Sequence, residues 1–140
     1  MTGAIRFQLK ALLADLREVM VPWLTARVLI AVGFVIAYAA SEHLVPAAKP
    51  TTLSEGLIAW DGTWYRDIAS FGYQAIDQSG LRFFPLFPLL GKALSVFTFG
   101  RTDVALILLA NLASLLLAVA IRRLVLFERG SKELANRSVW

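Results

Sequence analysis

The chain has 140 residues, of which 58% are hydrophobic and 17% charged, with a formal net charge of +4 and a mean hydropathy of +0.66. An ordinary soluble domain carries about a quarter charged residues, so this balance reads as a membrane protein, long enough for two spans and one substantial loop but not for a closed multi-helix cavity. Cysteine is absent, which excludes disulfides and thiolate metal sites and leaves the redox compartment open.

Ile5, Leu9, Leu12, Leu13, Leu16 and Met20 recur at helical spacing, while Arg6, Lys10 and Arg17 fall on another face. The pattern predicts an interfacial amphipathic helix over 1–20, either an anchor feeding the next segment or a partner-binding element. From Val19 to Ser41 the only charge is Arg27. At about 1.5 Å of rise per residue the stretch crosses a hydrocarbon core of about 30 Å, so a first transmembrane helix is predicted at 21–41. It begins too late and runs too long for a cleavable signal peptide and is expected to stay in the mature protein. Arg27, near one end of this helix, is expected to snorkel to the interface, the other reading being a functional buried charge. Gly33, Ala37 and Ser41 form a ridge of small residues that permits close helix approach.

The loop spans 42–102. "VPAAKPTTLSEG", with Pro46 and Pro50, is a breaker-rich connection. It leads into "WDGTWYRDIASFGY", Trp60 to Tyr73, for which a juxtamembrane helix at about 61–72 is predicted. On a helical wheel Trp60, Trp64, Ile68 and Phe71 share one face, opposite Thr63, Arg66 and Ser70, as in a helix lying on the outer membrane surface. Asp61 and Tyr65 run along the border of that face. Asp61 reads either as the helix N-cap or as a functional carboxylate at the lipid–water boundary. Asp67 falls near Arg66 and Arg82, as a surface charge in a salt-bridge cluster would.

"LRFFPLFPLLGKALSVF" follows, and its prolines, Pro85 and Pro88, precede an apolar helix predicted at 85–99. It is too short to cross the bilayer and carries Lys92, so it reads as a second juxtamembrane or re-entrant helix. Arg82, just before Phe83 and Phe84, places a guanidinium at headgroup depth, where it can take a phosphate in bidentate fashion or bind lipid headgroups generally. The lone His43 reads as an interfacial residue, and the loop's aspartates lack ligand spacing, so no metal is expected.

From Val104 to Ile121 there is no charge, and a second transmembrane helix is predicted at 103–126. Ala110, Ser114 and Ala118 repeat the small-residue ridge, with Asn111 beside it as a helix–helix hydrogen-bond donor or a substrate-facing group. In 127–140, Gly130 reads as a helix stop and Ser131 as an N-cap, opening a further helix. Arg6, Lys10 and Arg17 before the first span and Arg122, Arg123, Arg129, Lys132 and Arg137 after the second put both termini on the cytoplasmic side and the loop outside. The positive charge is thus a topological signal, and no nucleic-acid partner is expected.

Trp-Asp, Trp-Tyr, Ile-Ala, Gly-Tyr and Phe-Phe-Pro, in this order and spacing, resemble the signature of the PIG-V mannosyltransferase family, known from GPI-anchor biosynthesis, over essentially the whole chain. The resemblance implies the N-terminal part of a C-type glycosyltransferase fold: all-α, with two transmembrane helices flanking an extracytoplasmic loop with juxtamembrane helices. It implies mannose transfer from a polyprenyl- or dolichyl-phosphate donor to a lipid-linked or other membrane-proximal hydroxyl, with no cofactor. In that fold the catalytic carboxylate is an aspartate just after the first span, the position Asp61 occupies. A carboxylate there can accept the proton of the attacking hydroxyl, while Arg82 steadies the leaving phosphate. Trp60, Trp64, Tyr65 and Tyr73, with Phe83 and Phe84, complete the substrate-binding set.

Enzymes of the family have several times as many spans. The chain is therefore expected to be a fragment, inactive alone and completed by further helices, or a short relative that has lost activity or relies on a partner. The alternative is a non-catalytic two-span protein that binds lipid or docks on another membrane protein; a transporter fragment is a third reading. The Ala-, Leu- and Arg-rich texture suggests a bacterial cytoplasmic membrane, with the endoplasmic reticulum as the other setting.

Overall fold

A computed structural model describes residues 2–43 and 56–140; the proline-flanked connection around Pro46 and Pro50 lies outside them. Among the described residues there is no strand. The helices are α1 (Thr2–Glu42), α2 (Asp61–Phe71), α3 (Leu86–Ser95), α4 (Thr102–Arg129) and α5 (Lys132–Arg137), with short 3₁₀ turns between α1 and α4. Two of them are long and apolar enough to cross a membrane, one over Leu9–Ser41 within α1 and the other over the whole of α4. Leu29, Val35 and Ile36 on the first and Leu112, Leu116 and Leu117 on the second are exposed. A helix at the centre of a water-soluble core would bury such side chains, so lipid or another apolar surface must cover them.

The chain divides into two compact units, Met1–Ala37 with Ala113–Trp140, and Tyr38–Leu112. In the first, α1 runs unbroken where the sequence pattern separates an interfacial helix at 1–20 from a span at 21–41. Pro22 lies inside the helix, but its missing N–H forfeits only the bond to the Glu18 carbonyl. No glycine or polar run beside it starts a new element.

Polar side chains tie α1 to α4. Asp15, buried on α1, accepts hydrogen bonds from Arg122 and, at 2.5 Å, from Arg123 Nε. Arg122 Nε also donates to Asn136 Oδ1 at 2.9 Å, and Asn136 Nδ2 donates to Glu18 Oε2 at 3.1 Å, which brings α5 into the network. Burying a carboxylate is tolerated here because two guanidinium groups share it. Beside the network Val19 and Ala135 are fully buried. Gly130, at φ 64, ends α4, and Ser131 Oγ accepts from the Leu134 N–H at 3.3 Å to open α5, the stop and cap that the residue types call for.

Further along α1, Trp23 Nε1 donates to Ser114 Oγ at 3.0 Å. Arg27 donates to the same hydroxyl, and its guanidinium lies 4.9 Å from the centroid of the Trp23 ring. Arg27 therefore turns towards α4 rather than snorkelling along the helix. A hydroxyl and an indole face within reach stabilise the cation where it stands.

In the second unit, α2 packs on α3 and on the first turns of α4. Ile58, Ala69 and Leu106 form its core, with Tyr65, Phe87 and Ile107 against them. Gly91 lets α3 approach α4 closely, since a side chain there would run into Leu106. The hydroxyls of Ser70 and Thr102 are 2.8 Å apart and tie the end of α2 to the start of α4. Asn111 Nδ2 donates to the Ile107 carbonyl of its own helix at 2.8 Å.

Candidate functional site

The segment that opens α2 turns sharply before the helix begins. The Gly62 N–H donates to the Ala59 carbonyl at 3.3 Å, and between them Trp60 takes φ 63 and ψ −123. These are the angles of the first central residue of a type II′ turn, a position that glycine occupies without strain and an L-residue does not. The Trp60 carbonyl holds the turn by accepting from the Thr63 N–H at 3.1 Å and the Thr63 hydroxyl at 2.7 Å. Trp60 rather than Asp61 is thus the N-cap residue, and no side chain caps the helix. Asp61 stands in the first turn with its side chain exposed, beside backbone N–H groups whose partial positive charge favours a carboxylate.

Below the turn, rings pack on rings. Trp64 stacks on Phe83 with centroids 6.0 Å apart, and Tyr65 meets Phe83 and Phe87 edge-on at 5.1 Å each. Tyr73 Oη donates to the Phe83 carbonyl at 2.5 Å. The backbone at Gly80 passes so close that a Cβ there would stand 2.7 Å from the Trp64 ring and 2.7 Å from Ile76. Arg82 is exposed, and its guanidinium lies 5.4 Å from the Phe83 ring centroid. Asp67 accepts from Arg66 Nε at 3.0 Å in a half-exposed pair.

Trp64, Tyr65, Tyr73 and Phe83 therefore come together as a packed aromatic frame. Trp60, which is 75% exposed, as well as Asp61, Arg82 and Phe84, present side chains outward. Of the face that the helical wheel turns to the membrane, Trp60 and Phe71 are exposed, whereas Ile68 is buried with Ala69 and Trp64 lies against Phe83. Tyr65 packs against the core. Phe83, arriving from a later turn, covers Trp64 and Tyr65, and the period of one helix carries no record of that. Nothing local marks Gly80 for this role beyond its place in the turn-like "QSGL".

His43 is exposed, and among the described residues no three His, Asp or Glu side chains gather as a metal site would need. Chemically the site offers an exposed carboxylate at a helix start and an exposed guanidinium anchored on a ring. The first can take a proton from an alcohol; the second can donate two parallel hydrogen bonds to a phosphate.

No protein-family model, curated protein or solved structure matches the chain.

Proposed function

We propose that the chain is the site-bearing part of a membrane glycosyltransferase that moves mannose from a polyprenyl or dolichyl phosphate to a membrane-proximal hydroxyl. Beyond the resemblance of its loop motifs to the PIG-V family, the observation that carries this reading is the turn at Ala59–Gly62. Backbone strain concentrates at functional sites, and here a strained, exposed Trp60 stands directly before an exposed Asp61. In the reaction the acceptor oxygen bonds to the anomeric carbon and its proton passes to Asp61. The bond from that carbon to the phosphate oxygen breaks, and the electron pair leaves with the lipid phosphate, whose charge Arg82 stabilises. Both termini are cytoplasmic in this reading and the loop faces outward, in a bacterial cytoplasmic membrane.

The test is transfer of labelled mannose from a polyprenyl-phosphate donor in native membranes carrying Asp61→Asn. Loss of a general base lowers the rate by about 10²–10⁴-fold, with insertion into the membrane unchanged. Full turnover in the variant removes Asp61 from the mechanism.

A second reading, a non-catalytic two-span protein that docks on a partner helix, is favoured by Gly33. It is exposed, as is Ala37, and a Cβ built on Gly33 would meet nothing within 4 Å, so this part of the α1 ridge is open to close approach. That reading expects Asp61 substitutions to be tolerated.

A further inference from the structure

Helix α3 is apolar on both sides. Pro88, Gly91 and Ser95 form its buried stripe, and Gly91 seats it on Leu106 of α4. On the opposite side, about 180° around at 100° per residue, Leu86 and Leu90 are exposed, and Phe97 in the 3₁₀ turn Val96–Thr98 that follows is exposed as well. Lys92 is its single charged residue, and an apolar surface this wide belongs in a core or in lipid.

The turn that ends this element is odd in a second way. The Gly100 N–H donates to the Ser95 carbonyl at 2.8 Å, the long bond of a Schellman motif, which puts Phe99 at the left-handed position that glycine normally fills. Phe99 has φ 55 and is 97% exposed, with Phe97 at 80%. Thr98 Oγ1 holds the turn by donating to the Arg101 carbonyl at 2.8 Å. In water this arrangement is unfavourable twice over, a strained backbone presenting a bare phenyl ring. In hydrocarbon the exposed ring becomes a gain.

We infer that the Phe97–Phe99 turn is an anchor that inserts into the acyl chains of one bilayer leaflet. Two further features select lipid as the occupant. α3, which the turn ends, is packed through Gly91 on Leu106 near the start of α4, itself long enough to cross a membrane, so it stands at the end of that helix, where an interface would fall. Lys92 and Arg101 are exposed on either side of the turn in sequence, as suits phosphate headgroups above buried rings. The inference does not depend on the proposed chemistry and holds for a non-catalytic protein as well.

Because the chain has no cysteine, single cysteines at 97, 99 and, as an aqueous control, exposed Ser79 can carry nitroxide labels in the full chain. The labelled proteins are reconstituted in phosphatidylcholine–phosphatidylglycerol vesicles. Collision with oxygen against a nickel chelate should place 97 and 99 about 5–10 Å below the phosphates, with 79 in water. Accessibility of 99 to nickel overturns the inference in favour of a solvated turn, and protection from both reagents overturns it in favour of a protein partner. Phe99→Gly keeps the turn, since glycine suits its backbone, and should shift the label at 97 towards water. An unchanged depth at 97 removes Phe99 from the anchor.

Discussion

Within Met1–Ala37 and Ala113–Trp140 the helices are joined by charge: Asp15 between two arginines, Asn136 between Arg122 and Glu18, and Ser114 under Trp23 and Arg27. Within Tyr38–Leu112 the same task falls to rings and glycines, with Trp64, Tyr65 and Phe87 around Phe83 or against one another and Gly80 and Gly91 admitting close contacts. The two kinds of tie fail differently. A buried ion pair is all or nothing, because removing one member strands a charge. Ring packing degrades by degrees, because neighbours can shift.

The sharpest way to break this contrast is Asp15→Ala. It leaves buried Arg122 without its carboxylate and should cost about 3–5 kcal/mol in unfolding from mixed micelles. The double replacement Asp15→Leu with Arg122→Met should recover most of that loss, since an apolar pair of similar volume removes the stranded charge. Gly80→Ala, which drives a methyl into the Trp64 ring, should cost about 1–3 kcal/mol and shift the indole fluorescence; a loss as large as that of Asp15→Ala would erase the distinction between the units. Smallest is Ser114→Ala. Side-chain hydrogen bonds between helices in lipid average about 0.6 kcal/mol, so the same assay should register a small change. A larger one would show that Arg27 depends on that hydroxyl as strictly as Arg122 depends on Asp15.

What could be read from the sequence was whatever a local window decides. Two long apolar helices, the Gly130 stop, the Ser131 cap and a short helix starting at Asp61 all follow from neighbouring residues. What could not be read came from distant partners. Asp15 and Glu18 sit among Arg6, Lys10 and Arg17, where counting basic residues for topology passes over acids, and nothing near them announces guanidinium groups 107 and 108 residues beyond Asp15. The covering of Trp64 and Tyr65 depends on Phe83, and the close passage at Gly80 depends on Trp64. At Asp61 the residue types left two readings open, a cap or a functional carboxylate. Asp followed by Gly and Thr has the composition of a cap, and only the backbone reveals that the turn lies one residue earlier. Of the proposed site, the exposed members Asp61 and Arg82 were legible as types at positions, whereas the framework role of Tyr65, Tyr73 and Phe83 was not.

The sharing of Asp15 between two arginines has a bearing on biogenesis. A ribosome delivers the first helix long before Arg122 and Arg123 exist, so during that interval the carboxylate lacks both of the guanidinium groups that hold it in the fold. Hydrocarbon rejects a bare carboxylate, so if α1 crosses a membrane, as its length and apolar character allow, position 15 has to wait at the water boundary while the residues beyond it enter. In a membrane the vertical setting of the first helix would then be decided early in synthesis, with the later helix docking onto a mark already made.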